Sequence, residues 1–187
     1  ALGAVTTEDF WNFYNGTSKP VAALLVGVVL TIPAAGSEGS GNSVITNEKT
    51  HQKISVRYPF LLRPRFAVMN PELTYSLPWF QTACGIVDMM AHIYERYFSP
   101  TEGTQLVDAY SEAILRDVMD QAVTLRMDGE NYDARADVMW AGTLAHNGLC
   151  GVGKTEDWAS HRMEHEISAF YHVAHGAGLA VIIPAWM

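Results

Sequence analysis

The sequence predicts an α/β layer followed by an all-α half, and three observations carry that reading. A Val/Leu run occupies Leu24 to Leu30, the hydrophobic period changes after Pro71, and from there to Tyr171 apolar residues recur at three and four positions. The boundary falls near residue 75, which divides the chain into residues 1–75 and 76–187.

Taken in order, Ala1 to Val5 reads as the tail of an interrupted helix. The segment LLVGVVLTIPAAGSEGSGNSVIT then offers a strand buried on both faces of a parallel sheet, with a small-residue loop at its carboxyl end, the place where α/β sheets bind ligands. A second strand is expected near Phe66 to Met69, between Pro59, Pro64 and Pro71. Thr74 and Pro78 supply a capping residue and a first-turn proline for a helix running to about Tyr97. Further helices are predicted over Gln105–Leu125, Ala134–Asn147 and Asp157–Tyr171. There is no internal repeat and no low-complexity tract.

Composition narrows the function. A net charge of −8 without any lysine or arginine cluster argues against nucleic acid as a partner. The longest apolar stretch, Val21 to Ala35, contains Gly27, Thr31 and Pro33 and is shorter than the roughly 20 residues that span a bilayer, so no membrane association is expected. Cys84 and Cys150 lie outside any CxxC pattern, which suggests neither a disulfide framework nor a thiolate zinc site and fits a reducing cytoplasm. The chain lacks an initiator methionine and a basic leader. It is expected to be a fragment whose uncovered apolar surface drives homo-oligomerisation.

The chemistry is concentrated in DMMAH (Asp88 to His92) and HRMEHEISAFYHVAH (His161 to His175). Asp88 and His92 are four residues apart, as are His161 and His165, so on a helix each pair projects from one face. A helix ending on Gly176 would turn His175 toward the same point. Four of the seven histidines lie between positions 161 and 175, beside Glu164 and Glu166. Any one histidine on an apolar helix is more readily a satisfied core residue, but the set points to a metal. Imidazole nitrogen with carboxylate oxygen suits a first-row divalent ion such as iron, zinc, nickel, copper or manganese. Spacing alone leaves open which of the five groups ligate.

The order GSE (Gly36 to Glu38), VIT (Val44 to Thr46), the proline-punctuated strand, GIVDMMAHIYERY, Ala134-Arg135 and SHRMEHEISAFYHVAHGAGLAVIIPAWM resembles the iron-containing alcohol dehydrogenases, most closely their butanol dehydrogenase branch. The resemblance implies a dehydroquinate synthase-like architecture, with a partial nucleotide-binding α/β domain over 1–75 and a partial helical metal-binding domain over 76–187. It implies Asp88, His92, His161 and His175 as metal ligands, with iron first and zinc or nickel compatible, and His165 beside the site as the catalytic proton relay. NAD or NADP would be met by Thr31, Gly36, Ser37 and Lys53. Ile32 and Ala35 stand where many members carry threonine, and the family's glycine-rich pyrophosphate loop lies upstream of Ala1, so these residues alone are expected to hold the dinucleotide poorly. His146, in AHNG, is expected to pack. The implied reaction is hydride transfer between NAD(P) and a primary alcohol or aldehyde such as butanol or butyraldehyde. A dehydroquinate synthase-like lyase and a non-catalytic metal-binding helical fragment remain the alternatives. A metallohydrolase is disfavoured, because HRMEH lacks the glutamate directly after its first histidine that HExxH proteases require.

Overall fold

In the computed structural model, which describes residues 1–187, the first third of the chain forms two small sheets and the remainder is helical. Strand β1 (Gly27–Val29) pairs in parallel with β4 (Phe66–Val68), Val28 standing opposite Ala67. The pairing extends by one bond, from Leu30 N–H to the Val68 carbonyl at 2.9 Å. The sequence suggests a strand buried on both faces, yet Val29 and Val68 are largely exposed. A sheet of two strands has nothing to cover its faces, and only Leu30, just past the strand, is sealed.

Between these strands lies an antiparallel hairpin, β2 (Asn42–Asn47) and β3 (Gln52–Arg57), followed by a single helical turn, α1 (Pro59–Leu62). The reversal is made by Asn47, whose side chain accepts from Lys49 N–H at 3.0 Å, and by His51 at a positive φ of 51°. Reading VIT as the end of the preceding run missed this hairpin. Its half-buried residues Ile45, Ile54 and Val56 pack on Phe13 and Tyr14, the latter joined to Ser43 by a 2.7 Å hydroxyl–hydroxyl hydrogen bond.

The helical half follows the apolar period closely. Helices α2 (Trp79–Tyr97), α3 (Gln105–Met127) and α4 (Tyr132–His146) share one core. It takes Ile86, Met89 and Ile93 from α2, Ile114, Leu115 and Val118 from α3, and Val138, Ala141 and Ala145 from α4. Each fully sealed aliphatic such as Ile93 or Val118 contributes about 1.5–3 kcal/mol. The α4 cap is Asn131, which accepts from Ala134 N–H at 3.1 Å and starts that helix ahead of the predicted Ala134. Arg96, almost fully buried, donates to the carbonyls of His92 and Ala145 and to Glu156, tying α2 to α4 and to the loop before α5 (Ala159–Tyr171).

The principal departure is at the C-terminal end. Helix α5 stops at His172, which adopts φ 53°, and a new helix, α6 (His175–Trp186), begins on His175. Gly176 reads in sequence as a stop signal. Its actual use is close approach: a Cβ at this position would lie 2.0 Å from the Cys84 carbonyl oxygen, so only glycine lets α6 settle against the α2 backbone. Ala91, Leu179 and Ile183 then close the α2–α6 contact. No helix is long and apolar enough to cross a membrane. Gly176→Ala is expected to lower stability by about 1–3 kcal/mol through forced separation of the two helices. Equilibrium urea unfolding measures this, and an unchanged midpoint would refute the packing account.

Candidate metal centre

Helix α2 presents Asp88 and His92 one turn apart, α5 presents His161, and the first residue of α6 presents His175. All converge on one atom. Asp88 Oδ1 has His92 Nδ1 at 3.1 Å, His161 Nε2 at 3.5 Å and His175 Nε2 at 3.7 Å. Ligands held at roughly 2.1 Å around a tetrahedral ion stand about 3.4 Å from one another, a spacing that Asp88, His92 and His161 fit as a set, while His175 reaches Asp88 and otherwise groups with Glu164 and His165. Asp88 is 3% exposed, and its Oδ1 makes no hydrogen bond of ordinary geometry. A sealed carboxylate oxygen facing three ring nitrogens is the arrangement that a divalent ion completes.

The outer faces of two imidazoles are occupied by carboxylates. His161 Nδ1 meets Glu95 Oε2, and His175 Nδ1 meets Glu164 Oε2. Both glutamates are fully buried. Glu95 Oε1 also accepts from the Ser160 and His161 N–H groups, at 2.8 and 3.2 Å, which fixes the start of α5 against α2. Such pairing sets each ring's tautomer, with the proton on Nδ1 and the lone pair of Nε2 turned toward Asp88. Neither glutamate was singled out as a site residue from sequence. The signal was present, since Glu95 lies seven residues beyond Asp88 and Glu164 three beyond His161, on the same helical faces.

Electrostatics follow from this packing. Burial alone would raise the Asp88 carboxyl, but the neighbouring imidazoles, His92 foremost, hold it well below the usual range. Burial lowers His92 against the opposing pull of Asp88. Burial would also lower His161, yet its contacts with Asp88 and Glu95 outweigh that and raise it to about 9. His146 is pushed down to about 3 by burial and by the adjacent His92, whose ring centroid is 3.9 Å away. It donates from Nδ1 to the Gly142 carbonyl at 2.7 Å, leaving Nε2 buried without a partner, so it packs against the centre instead of standing apart from it.

His165 lies outside the Asp88 cluster and beside His175, with ring centroids 5.6 Å apart. Burial and then the Lys53 charge lower it to about 4, so it is neutral near pH 7. The remaining sequence candidates are spread over the β layer. Thr31 is exposed just beyond β1, and Ser37 is exposed next to a buried Gly36 at φ 58°, where a Cβ would strike the His146 Cβ at 2.1 Å. Lys53, on β3, sends its ammonium to Glu164 at 3.3 Å and to Ser168 at 2.7 Å. A concavity of about 480 Å³ between α2 and α6, lined by Val87, Met90, Tyr94 and Ile183 among others, contains none of these groups.

The family model described as "Fe-containing alcohol dehydrogenase family, C-terminal" matches residues 82–187, a span that includes Asp88, His92, His161 and His175. The NADH-dependent butanol dehydrogenase A of Clostridium acetobutylicum is 41% identical over 187 residues, which is 100% of this chain and 48% of that protein. The NADPH-dependent aldehyde reductase YqhD of Escherichia coli is 38% identical over 95% of the chain and 46% of its own length. Among solved structures, the NADH-dependent butanol dehydrogenase A of Thermotoga maritima superposes with a TM-score of 0.96 at 40% identity, over 100% of this chain and 46% of that one. The chain thus spans about half the length of the relatives it matches. With the family's C-terminal model covering more than half of its residues, the chain belongs to the Fe-containing alcohol dehydrogenase family.

Proposed function

We propose that this chain forms the metal-binding core and part of the cofactor wall of an NAD(P)-dependent dehydrogenase that interconverts primary alcohols, such as butanol, and their aldehydes. The observation that carries this reading is the sealed, unpartnered Asp88 Oδ1 facing three imidazole nitrogens. In this reading residues 76–187 are the metal-binding helical domain and residues 1–75 belong to the nucleotide-binding α/β domain. The names of the similar proteins, butanol dehydrogenases using NADH and an aldehyde reductase using NADPH, support the substrate class and the cofactor. Asp88 with two imidazoles alone would suit a dehydroquinate synthase-like lyase. The third imidazole, His175, favours the dehydrogenase.

One carboxylate and three neutral imidazoles fit iron first and zinc or nickel as well, and such an ion acts as a Lewis acid that lowers the pKa of a substrate hydroxyl. The residues supply the rest. Asp88, His92, His161 and His175 hold the ion, and their single negative charge leaves it net positive. His165, neutral near pH 7, is the base that would take the hydroxyl proton, and NAD(P), when bound, would supply the hydride acceptor. Thr31, Gly36, Ser37 and Lys53 would meet the dinucleotide, Lys53 through the ammonium proton not given to Glu164 and Ser168. The left-handed Gly36 makes the tight turn that leaves Ser37 outward near the carboxyl end of β1. Free Cys84 and Cys150 suit the cytoplasm, and exposed apolar residues such as Val21, Leu25 and Phe60 suit a homo-oligomer.

In the holoenzyme, His161→Ala and His175→Ala are expected to lose bound metal together with activity, whereas His165→Ala keeps its metal and loses about 10²–10⁴ in rate. Metal analysis alongside steady-state turnover of butyraldehyde reads both, and stoichiometric metal in His175→Ala would refute the ligand set. Proton and metal compete for His161 Nε2. Because the metal-free ring is protonated below about 9, apparent affinity is expected to rise between pH 6 and 9 and then level off. Competition titrations with zinc across that range test the sign, and a flat profile would contradict it.

A further inference from the structure

We propose that Glu164 is a positioning residue for His175 and that Lys53 holds Glu164 in place, so the β2–β3 hairpin braces the metal centre through a line of three side chains. The inference rests on the metal-centre reading above and extends it to residues that touch no ligand directly.

His175 is the imidazole least held by its own element. It opens α6, so no preceding helical turn supports its ring, and its side chain is 27% exposed, against 8% for His161 and 14% for His92. On the face away from Asp88 its ring is held by Glu164. That carboxylate is sealed from water, and a sealed anion persists only when paired. Lys53 supplies the pairing from β3, 111 residues away in sequence, and its ammonium is steadied by Ser168 one turn beyond Glu164.

Gly178 makes the room. A Cβ there would lie 2.8 Å from Glu164 Cγ and 2.9 Å from Oε1, so the Glu164 side chain occupies the volume that a larger residue on α6 would take. A glycine inside a helix costs about 1 kcal/mol relative to alanine, and here it stands one turn from His175, where that cost is offset by the Glu164 contact. The Glu95–His161 pair repeats the device on the other side of the centre. Glu164, His165 and His175 also lie close enough to suggest a second cation site, but Glu164 Oε2 is already shared by Lys53 and His175, and the Lys53 ammonium 3.3 Å away opposes a second positive charge there.

The test uses cobalt(II)-loaded holoenzyme, with the rate of cobalt loss to excess chelator and the visible ligand-field spectrum as readouts. Glu164→Ala is expected to lose cobalt about 10–100-fold faster and to shift the spectrum, with Glu164→Gln intermediate because its amide oxygen still accepts from His175 Nδ1. Gly178→Ala should act in the same direction with every charge retained. Lys53→Met should also speed loss, and combined with Glu164→Gln should add less than the sum of the two. A purely structural role would lower the melting temperature and leave the spectrum unchanged. Wild-type loss rates and spectra in Glu164→Gln and Gly178→Ala would overturn the inference, even if Glu164→Ala failed to fold. Asp88→Ala separates the two levels. If it releases cobalt while the Glu164 variants match wild type, only this inference falls, whereas stoichiometric cobalt in Asp88→Ala would overturn the centre itself and this inference with it.

Discussion

Removing an ionised carboxylate from water costs several kcal/mol unless positive charge or donors surround it, and Asp88 is held in that condition by the packing of three helices. Its Oδ1 faces ring nitrogens from α2, α5 and α6. The protonated His161 ring satisfies it in part, and its own titration is raised, against burial, to about 9 by Asp88 and Glu95. A divalent cation satisfies it fully and leaves the rings neutral. The same cluster therefore accounts for the perturbed titrations and, in the proposed function, is where a bound ion would grip a substrate oxygen.

Most of the surrounding architecture serves to bring those rings to one point. Arg96 ties the His92 turn of α2 to the end of α4, and Glu95 docks the first turn of α5 by accepting two of its N–H groups. Gly176 allows α6 to touch the α2 backbone one turn before Asp88, which is what brings His175 within reach. The small hairpin of the β layer is attached through Lys53. Site geometry and folding are coupled here, because the helix contacts that build the core also set the distances among the candidate ligands.

The helical half was largely legible in sequence. Ile86, Met89 and Ile93 on α2 and Val138, Ala141 and Ala145 on α4 fall at the spacings of one helical face, and the Asp88/His92 and His161 positions follow from the same period. Of the β layer, the two strands and their parallel pairing were legible, but not the hairpin or how little covers the sheet. Local pattern cannot reveal how many strands flank Val28, so a run that suits a doubly covered strand lies in a two-stranded sheet, and the Asn47 turn was hidden by a continuous reading of the strand. Gly176 was legible as a glycine but not as a contact, because the Cys84 carbonyl that requires it is far away in sequence. Glu164 was visible within the histidine-rich segment, while its contact with Lys53 was not, since the meeting of β3 with α5 is a tertiary event.

The most direct test is X-ray absorption spectroscopy of the metal-loaded protein at the iron or zinc edge. The account predicts a first shell of one carboxylate oxygen and three imidazole nitrogens at about 2.0–2.2 Å, with room for exchangeable solvent. A shell with fewer than three imidazoles, or one unaltered when Asp88 is replaced by alanine, would contradict it.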